Sequence, residues 1–309
     1  MHHHLAASPE TIIWGHIDPT APPALHIDSG DSVTIETLSG GPRNLPDPAS
    51  GCHALPAHLR VIDQCRPKLG PHMLTGPVFI RGAEPGDRLL VEIEAIDLAQ
   101  DFGWNAIEPG FGILPDLATE YQSLTIPLDR ERAQARLPWG TVVDLAPFFG
   151  ILAVAPEVAG GSVTSVVPGP FGGNMDNRFC RPGARITLPV FCPGALFFAG
   201  DGHALQGDGE ICDTALETAL NGRFRLSIEK GGAPEAPEIL WGDRVITMDF
   251  DEDLGRAATV AARRMIDWLT RNSQMSRNEA YRHCSMLADL RVTQMVNRRR
   301  GVHCVLRRP

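Results

Sequence analysis

The chain has 309 residues, of which 43% are hydrophobic, and a formal net charge of −9 at pH 7. This content is enough for a hydrophobic core, and the length predicts one large domain or two closely packed ones. The acidic charge excludes a general nucleic-acid-binding protein, and the lack of a long apolar run excludes a membrane-spanning one. Seven cysteines without a CxxC pair predict reduced thiols and a cytoplasmic location.

The first predicted elements are strands, and they follow a run of three histidines (residues 2–4) that we interpret as an added tag or a frayed terminus. Alternation of apolar and polar residues indicates each strand, and the polar face of each favours antiparallel sheets. The predicted strands are two about a Ser-Gly-Asp turn in 24–37, one at 87–98, a hairpin formed by 184–191 and 195–201, and one at 223–229. The segment 195–201 is predicted to end as it reaches a polar site.

Helices are predicted near the C-terminus. Residues 251–272 begin with acidic residues and place one apolar face along the helix, formed by Leu254, Ala258, Ala261, Ala262, Met265 and Leu269. Residues 276–292 open with Ser276 and Glu279 at the spacing of a capping box. The sequence therefore predicts a mainly β fold in a single unit of residues 1–309, with a β-rich section at 12–248 and a helical section at 249–309.

One short stretch carries the strongest chemical signal. Residues 200–210 read GDGHALQGDGE and contain three carboxylates and one imidazole. Strand periodicity puts Asp201 and His203 on one face, and Asp208 and Glu210 repeat the same spacing. Carboxylate and imidazole together suit a divalent metal, zinc above all, and a further carboxylate beside the metal would carry a proton. A polar β-turn is the alternative interpretation, and the chemistry of these residues leaves both open.

Three other stretches hold weaker candidates. The segment 168–179 contains Asn174, which could donate to an oxyanion, and Asp176, which could bind a metal. His72 could be a metal ligand or a solvated loop residue. Trp104 could line a pocket or belong to the core.

Three motifs taken in order resemble the acetamidase/formamidase family. They are GPVFIRGAEPGD, FGGNMDNR and PVFCPGALFFAGDGHALQGDGEIC, and the similarity extends over most of residues 12–306. The resemblance implies a decorated antiparallel β-sandwich or barrel with a smaller α/β part. It also implies hydrolysis of short linear amides to a carboxylate and ammonia, a divalent metal that is expected to be zinc, and a homodimer or larger homo-oligomer.

Within this resemblance we expect Asp201 and His203 to hold the metal, with Asp176 or His72 as a third ligand. Glu210 is expected to take a proton from water and return it to the leaving nitrogen. The residues expected to orient the amide or form its pocket are Asn174, Gln206 and Trp104, and Asp208 is expected to support the site from behind.

The chain departs from the family pattern at three places. Arg81 stands where an acidic residue is expected, and Asp213 stands where relatives often have glycine. The loop 39–58 has no clear counterpart, and loops of this kind often shape a pocket. The identity of the amide is therefore the most open part of the prediction.

Three alternatives stay open at this stage. A related hydrolase could open a cyclic or bulkier amide. A metal-bearing β-sandwich could bind a small ligand without turning it over, in which case Glu210 would have no role. A thiol hydrolase could use Cys212 as the nucleophile and His203 as its base.

Overall fold

A computed structural model describes residues 1–308, which form mostly β-strands. The strands are β1 (His2–Leu5), β2 (Ile12–Trp14), β3 (His16–Ile17), β4 (Leu25–Ile27), β5 (Ser32–Glu36), β6 (Met73–Ile80), β7 (Arg88–Leu98), β8 (Phe102–Ile107), β9 (Gln122–Asp129), β10 (Gln134–Arg136), β11 (Val142–Asp144), β12 (Phe148–Val154), β13 (Val163–Thr164), β14 (Gly172–Asn174), β15 (Ala184–Pro189), β16 (Phe197–Leu205), β17 (Leu216–Glu217), β18 (Leu220–Glu229), β19 (Glu238–Trp241), β20 (Arg244–Asp251), β21 (Asp289–Gln294) and β22 (Arg300–Arg307). The α-helices are α1 (Pro56–Gln64), α2 (Leu254–Asn272) and α3 (Arg277–Leu287). None of these helices is both long and apolar enough to cross a membrane.

Two large sheets contain almost all the strands. The first has nine strands in the order β1-β5-β18-β7-β15-β19-β20-β22-β21. The second has eleven, with β11-β10-β9-β8-β17-β16-β12-β14 along its main path and β6, β2 and β4 joined to β16 through β6. The pairs are antiparallel except for β1 with β5 and β4 with β6. The mainly β, antiparallel fold predicted from the sequence is confirmed, and among the described residues neither sheet closes into a barrel.

The main hydrophobic core lies between the two sheets. Phe224 of β18, in the first sheet, packs against Phe149 and Phe197 of the second, with ring centroids 5.3 and 5.6 Å apart. In β18 buried and exposed residues alternate because one face of this strand meets the core and the other meets solvent. Burial of aromatic and aliphatic side chains on both inner faces holds the sheets together.

Helices α2 and α3 cover the outer face of the C-terminal strands. Ala261, Met265 and Leu269 of α2 pack against Val302 and Leu306 of β22 in a second, smaller core. Strand β22 is therefore buried on both faces and has no alternating pattern. The prediction of a helical section at 249–309 was correct for α2 and α3 but wrong for β21 and β22. Strand β22 was missed because a strand with two covered faces lacks the period of two.

The predicted hairpin of 184–191 and 195–201 is wrong. Strand β15 pairs with β7 and β19 in the first sheet, whereas β16 pairs with β6, β12 and β17 in the second. The chain crosses between the sheets at Ala195 and Leu196, where both residues have positive φ values of 58° and 55°. Strand β16 also runs through to Leu205 and does not end at Asp201 as predicted.

Other boundaries also shift. Strands β4 and β5 were predicted correctly, but they pair in different sheets. The predicted helix 276–292 ends at Leu287, and its last residues form β21. The interpretation of the N-terminal histidines as frayed is wrong, because they pair with β5 as strand β1 and His3 contacts Asp31 at 2.8 Å.

Candidate active site

Five neighbouring strands of the second sheet, β8-β17-β16-β12-β14, carry the candidate site. Trp104 of β8 lies opposite Glu217 of β17, and Glu217 lies opposite His203 of β16. On the other side of β16, Phe148 of β12 lies opposite His203, and Asn174 lies opposite Ile151 of β12. Sequence-distant residues therefore meet because their strands are adjacent.

His203 lies at the centre of the site and is fully buried. Its Nε2 atom is 3.3 Å from Oδ2 of Asp201 and 3.3 Å from Oε2 of Glu217. Neither contact has hydrogen-bond geometry, and both ring nitrogens and Glu217 Oε2 lack a hydrogen-bond partner among the described residues. Buried polar atoms of this kind are normally satisfied, so the three atoms indicate a group that binds here.

A second set of ligand atoms shares the same histidine. Asp176, His203 and Glu210 each offer an atom within 4.8 Å of the others, as do Asp201, His203 and Glu217. All five residues are buried or nearly so. Carboxylate and imidazole donors at this spacing fit a divalent transition metal.

The electrostatics of the cluster also favour a cation. Burial, and then the neighbouring Asp201 carboxylate, raises the pKa of Asp176 to about 8. Burial and Asp176 raise the pKa of Glu210 well above its usual value. For Asp201 burial acts in the same direction, but His72 and His203 outweigh it and lower the pKa to about 2. The cluster thus holds more carboxylates than nearby positive charges can neutralise.

Two asparagines connect the carboxylates. Oriented to satisfy both ends of its amide, Asn174 donates to Asp201 Oδ2 at 3.0 Å and to Asp176 Oδ1 at 3.1 Å, and it accepts from Asn297 at 3.0 Å. Asn297 also donates to Asp176. The loop that carries Asn297 is fixed by Gln294, whose Oε1 accepts from the Asn297 backbone at 3.1 Å.

Gly150 of β12 has no side chain, and the carboxylate cluster occupies the space where a side chain would lie. A Cβ atom at this position would lie 2.4 Å from Asp201 Oδ2, 2.7 Å from Asp176 Oδ1 and 3.0 Å from His203 Cε1. Contacts below 3.0 Å are not tolerated by real Cβ atoms, and these neighbours are short, buried side chains that have little room to move.

Four acidic residues of the site adopt left-handed backbone conformations. They are Asp176 (φ 48°), Asp201 (φ 56°), Glu210 (φ 44°) and Asp213 (φ 72°). This conformation costs about 1–2 kcal/mol per L-residue, and such strain persists where the surroundings impose it, which is often at functional sites. Within residues 1–308, half of the eight non-glycine residues with positive φ thus line or neighbour this site.

A cavity of about 440 Å³ opens above the cluster. Asp201, Glu210 and Glu217 lie at its floor together with Asn174, and Trp104 forms part of its wall. The loop 39–58, which the sequence could not match, contributes Ser39, Gly40, Gly41, Arg43 and Asn44 to the lining. Trp104 donates to Ser39 at 3.1 Å, which joins this loop to the sheet.

A comparison of the sequence with known protein families gives a match. Residues 8–159 and 157–239 match the sequence model of the Acetamidase/Formamidase family. The chain belongs to that family.

Solved structures of proteins named as acetamidases or formamidases are similar to the fold of this chain. A predicted acetamidase/formamidase from the thermophile Thermoanaerobacter tengcongensis has a TM-score of 0.87 and 25% identity, covering 99% of this chain and 96% of that one. An acetamidase from Yersinia enterocolitica has a TM-score of 0.86 and 28% identity, covering 99% and 92%. The acetamidase of Mycolicibacterium smegmatis is 27% identical over 198 residues, which is 45% of this chain and 49% of the relative. The chain spans 63% or less of the length of the curated relatives it matches.

In this family member, one residue expected at the metal lies at the edge of the ligand cluster, and one expected at the substrate lies outside the cavity. His72 lines the cavity with Nε2 4.0 Å from Asp201, but it belongs to neither ligand set. Gln206 does not line the cavity and instead donates to the backbone oxygen of Asp176 at 3.0 Å. Gln206, the first residue after β16, therefore supports the backbone of Asp176 and does not contact the cavity.

Three other residues singled out in the sequence lie either on the surface or in the cavity. Asp208, expected to support the site, pairs with Arg178 at 3.2 Å on the surface. Arg81 pairs with Asp28 at 3.1 Å, also on the surface. Asp213 lines the cavity, and burial, followed by the charge of Glu217, raises its pKa to about 6.

Glu217, Asn297 and Gly150 were not predicted from the sequence. The available signal for Glu217 is a carboxylate inside the small and apolar run TALETAL, where an unpaired charge is not expected. For Asn297 and Gly150 we find no local signal, because their importance depends on the strands and loops that surround them.

Proposed function

We propose that the chain hydrolyses the C–N bond of a short amide to a carboxylate and ammonia, with a divalent metal at the base of the cavity. The observation that carries the proposal is the buried group of Asp201, His203 and Glu217 with unpartnered ligand atoms, next to the Glu210 carboxylate. The names of the relatives support the same reaction.

We assign the metal to Asp201, His203 and Glu217. These residues fit a divalent ion such as zinc because they supply one imidazole and two carboxylates, and His203 Nε2 and Glu217 Oε2 have no hydrogen-bond partner among the described residues. When bound, such an ion lowers the pKa of water toward about 7 and polarises a carbonyl oxygen. Asp176 and Asn174 hold Asp201 in place through the amide contacts described above.

Glu210 is the group that moves the proton. Its carboxylate lies in the second ligand set, within 4.8 Å of His203 and Asp176, and it faces the cavity. A carboxylate there accepts a proton from the attacking water and delivers it to the leaving nitrogen, which is otherwise a poor leaving group. Trp104 and the residues 39–44 form the wall against which the amide is positioned.

Ammonia release tests the proposal directly. The protein is expected to release ammonia from formamide, acetamide or propionamide, to lose this activity on chelation, and to regain it when zinc is added back. Metal content measured before and after chelation serves as the control. Unchanged activity in metal-free protein would refute the proposed metal dependence. Tight amide binding without release of ammonia would favour a binding module.

The cavity volume favours a second candidate substrate, a cyclic or bulkier amide. About 440 Å³ lies in the range of roughly 300–1,000 Å³ that holds drug-sized ligands, which is more space than acetamide needs. Apolar side chains such as Leu38, Met73 and Phe111 line part of it. Benzamide and a γ-lactam belong in the same assay, and a higher kcat/KM for either one identifies the larger class.

Replacement of Cys212 by alanine is expected to leave activity nearly unchanged. Cys212 lines the cavity, but its sulfur contacts Asn105 at 3.5 Å and Thr214 and no histidine among the described residues, so no base is placed to activate it. Ammonia release by Cys212→Ala measures this. A loss comparable to that of Glu210→Gln would instead support the thiol hydrolase.

A further inference from the structure

A second cavity, of about 210 Å³, lies next to the end of β16, where Leu205 and Gln206 line it. Phe148 and Gln206 form the wall between the two, because Phe148 packs against His203 and Gln206 contacts Asp176. Four arginines line this second cavity, Arg178, Arg181, Arg244 and Arg291. So high a local positive charge is unexpected in a chain whose formal net charge is −9.

Two of these four arginines have carboxylate partners. Arg178 pairs with Asp208 at 3.2 Å, and Arg291 pairs with Asp289 at 3.2 Å and lies 4.0 Å from Asp208. Within residues 1–308 neither Arg181 nor Arg244 forms an ion pair, and each guanidinium lies 5.6 Å from the ring centre of Trp241.

Two of the guanidinium groups, those of Arg178 and Arg181, are close enough to repel each other. Burial, and then the charge of Arg178, lowers the pKa of Arg181. An anion among these groups would remove the repulsion and would receive charge-assisted hydrogen bonds, which are stronger than neutral ones. The cavity is thus built for a small anion.

The side-chain oxygen of Gln206 favours a ligand that carries a hydrogen-bond donor. This side chain is only 8% exposed, and its Nε2 is already committed to the Asp176 backbone. Its Oε1 has no partner among the residues described, and the side chain lines the cavity. A buried acceptor left unpaired costs about 1–3 kcal/mol, so a ligand that donates a hydrogen bond is favoured here.

We propose that this cavity binds inorganic phosphate. Phosphate at neutral pH combines negative charge, for the arginines, with a P–OH group that donates to Gln206 Oε1. Sulfate has the same shape but no proton to donate, and a phosphate monoester has a second pKa near about 6 and is mostly unprotonated at neutral pH. This site is separate from the proposed amide chemistry and does not depend on it.

Calorimetric titration at constant ionic strength, set with sodium chloride, tests the proposal. Inorganic phosphate is expected to bind at least about tenfold more tightly than sulfate or methyl phosphate, because only phosphate satisfies Gln206. Arg181→Gln and Arg244→Gln are each expected to weaken phosphate binding by about tenfold or more. The matched control is Arg263→Gln, which removes an exposed arginine on α2 without touching the cavity.

Thermal unfolding of each variant shows that it is folded before it is titrated. Absence of phosphate binding, equal affinities for phosphate and sulfate, or affinity unchanged in both cavity variants would overturn the proposal. Methyl phosphate that binds as tightly as phosphate would also overturn it. Because binding is measured directly, failure here is distinguishable from failure to hydrolyse amides.

Discussion

Replacement of Gly150 by alanine is expected to lower amide hydrolysis by at least about 10²-fold, because displacements of about 1 Å at a reacting centre have effects of that size. The added methyl group would lie 2.4 Å from Asp201 Oδ2 and 2.7 Å from Asp176 Oδ1, so both carboxylates must move. Gly150 does not have positive φ, so alanine accepts its backbone conformation and the collision is the only penalty. Ammonia release and bound metal are the two measurements.

Gly160→Ala is the matched control for this variant. A Cβ atom there meets nothing within 4 Å, and its φ is also not positive, so activity and metal content are expected to stay at the wild-type level. A thermal unfolding transition must be retained in Gly150→Ala for the comparison to hold. A folded Gly150→Ala protein with normal activity would show that the carboxylate cluster is not the reaction centre.

Glu210→Gln is expected to reduce kcat by about 10²–10⁴-fold, which is the usual contribution of a positioned general acid–base. Glutamine keeps the shape of the side chain, but it replaces one acceptor oxygen with a donating NH2 group and cannot accept a proton. KM is expected to change much less, since the substrate wall is formed by Trp104 and the loop 39–44. Steady-state ammonia release as a function of amide concentration separates the two constants.

Asp208→Asn provides the control from the same loop. Asp208 lies two residues away from Glu210, but its carboxylate pairs with Arg178 at the surface, so the activity of this variant is expected to be unchanged. Full activity in Glu210→Gln would assign proton transfer to another group. Equal losses in both variants would indicate that the loop, and not the proton carrier, had been disturbed.

The fold was predictable where one face of a strand is exposed. Strand β18 has a clear alternation and was predicted within three residues of its observed start. Strand β22 was not predicted, because α2 covers its outer face and removes the pattern. The crossing of the chain between sheets after β15 was also hidden, since a Cys-Pro-Gly sequence is equally compatible with a hairpin.

The candidate site was predictable where its residues cluster in sequence. Asp201, His203 and Glu210 lie within one stretch, GDGHALQGDGE. In the structure Asp201 and Glu210 line the cavity, and the buried His203 belongs to a ligand set with each of them. Glu217 and Asn297 reach the same point through strand pairing and a C-terminal loop, which no local pattern encodes. Gln206 was expected to contact the substrate, but it follows the end of β16 and donates to the backbone oxygen of Asp176.

The floor of the cavity is built by strands and its mouth by loops. Substitutions in these two parts are therefore expected to have different effects. The floor is fixed by five adjacent strands and by strained acidic residues, so most substitutions there disturb every contact at once. The mouth is formed by loop residues such as Arg43 and Phe111, whose backbones can vary without moving the strands. Directed evolution toward new amides should therefore succeed by randomising the loop 39–44, while libraries that vary the floor should yield mostly inactive protein.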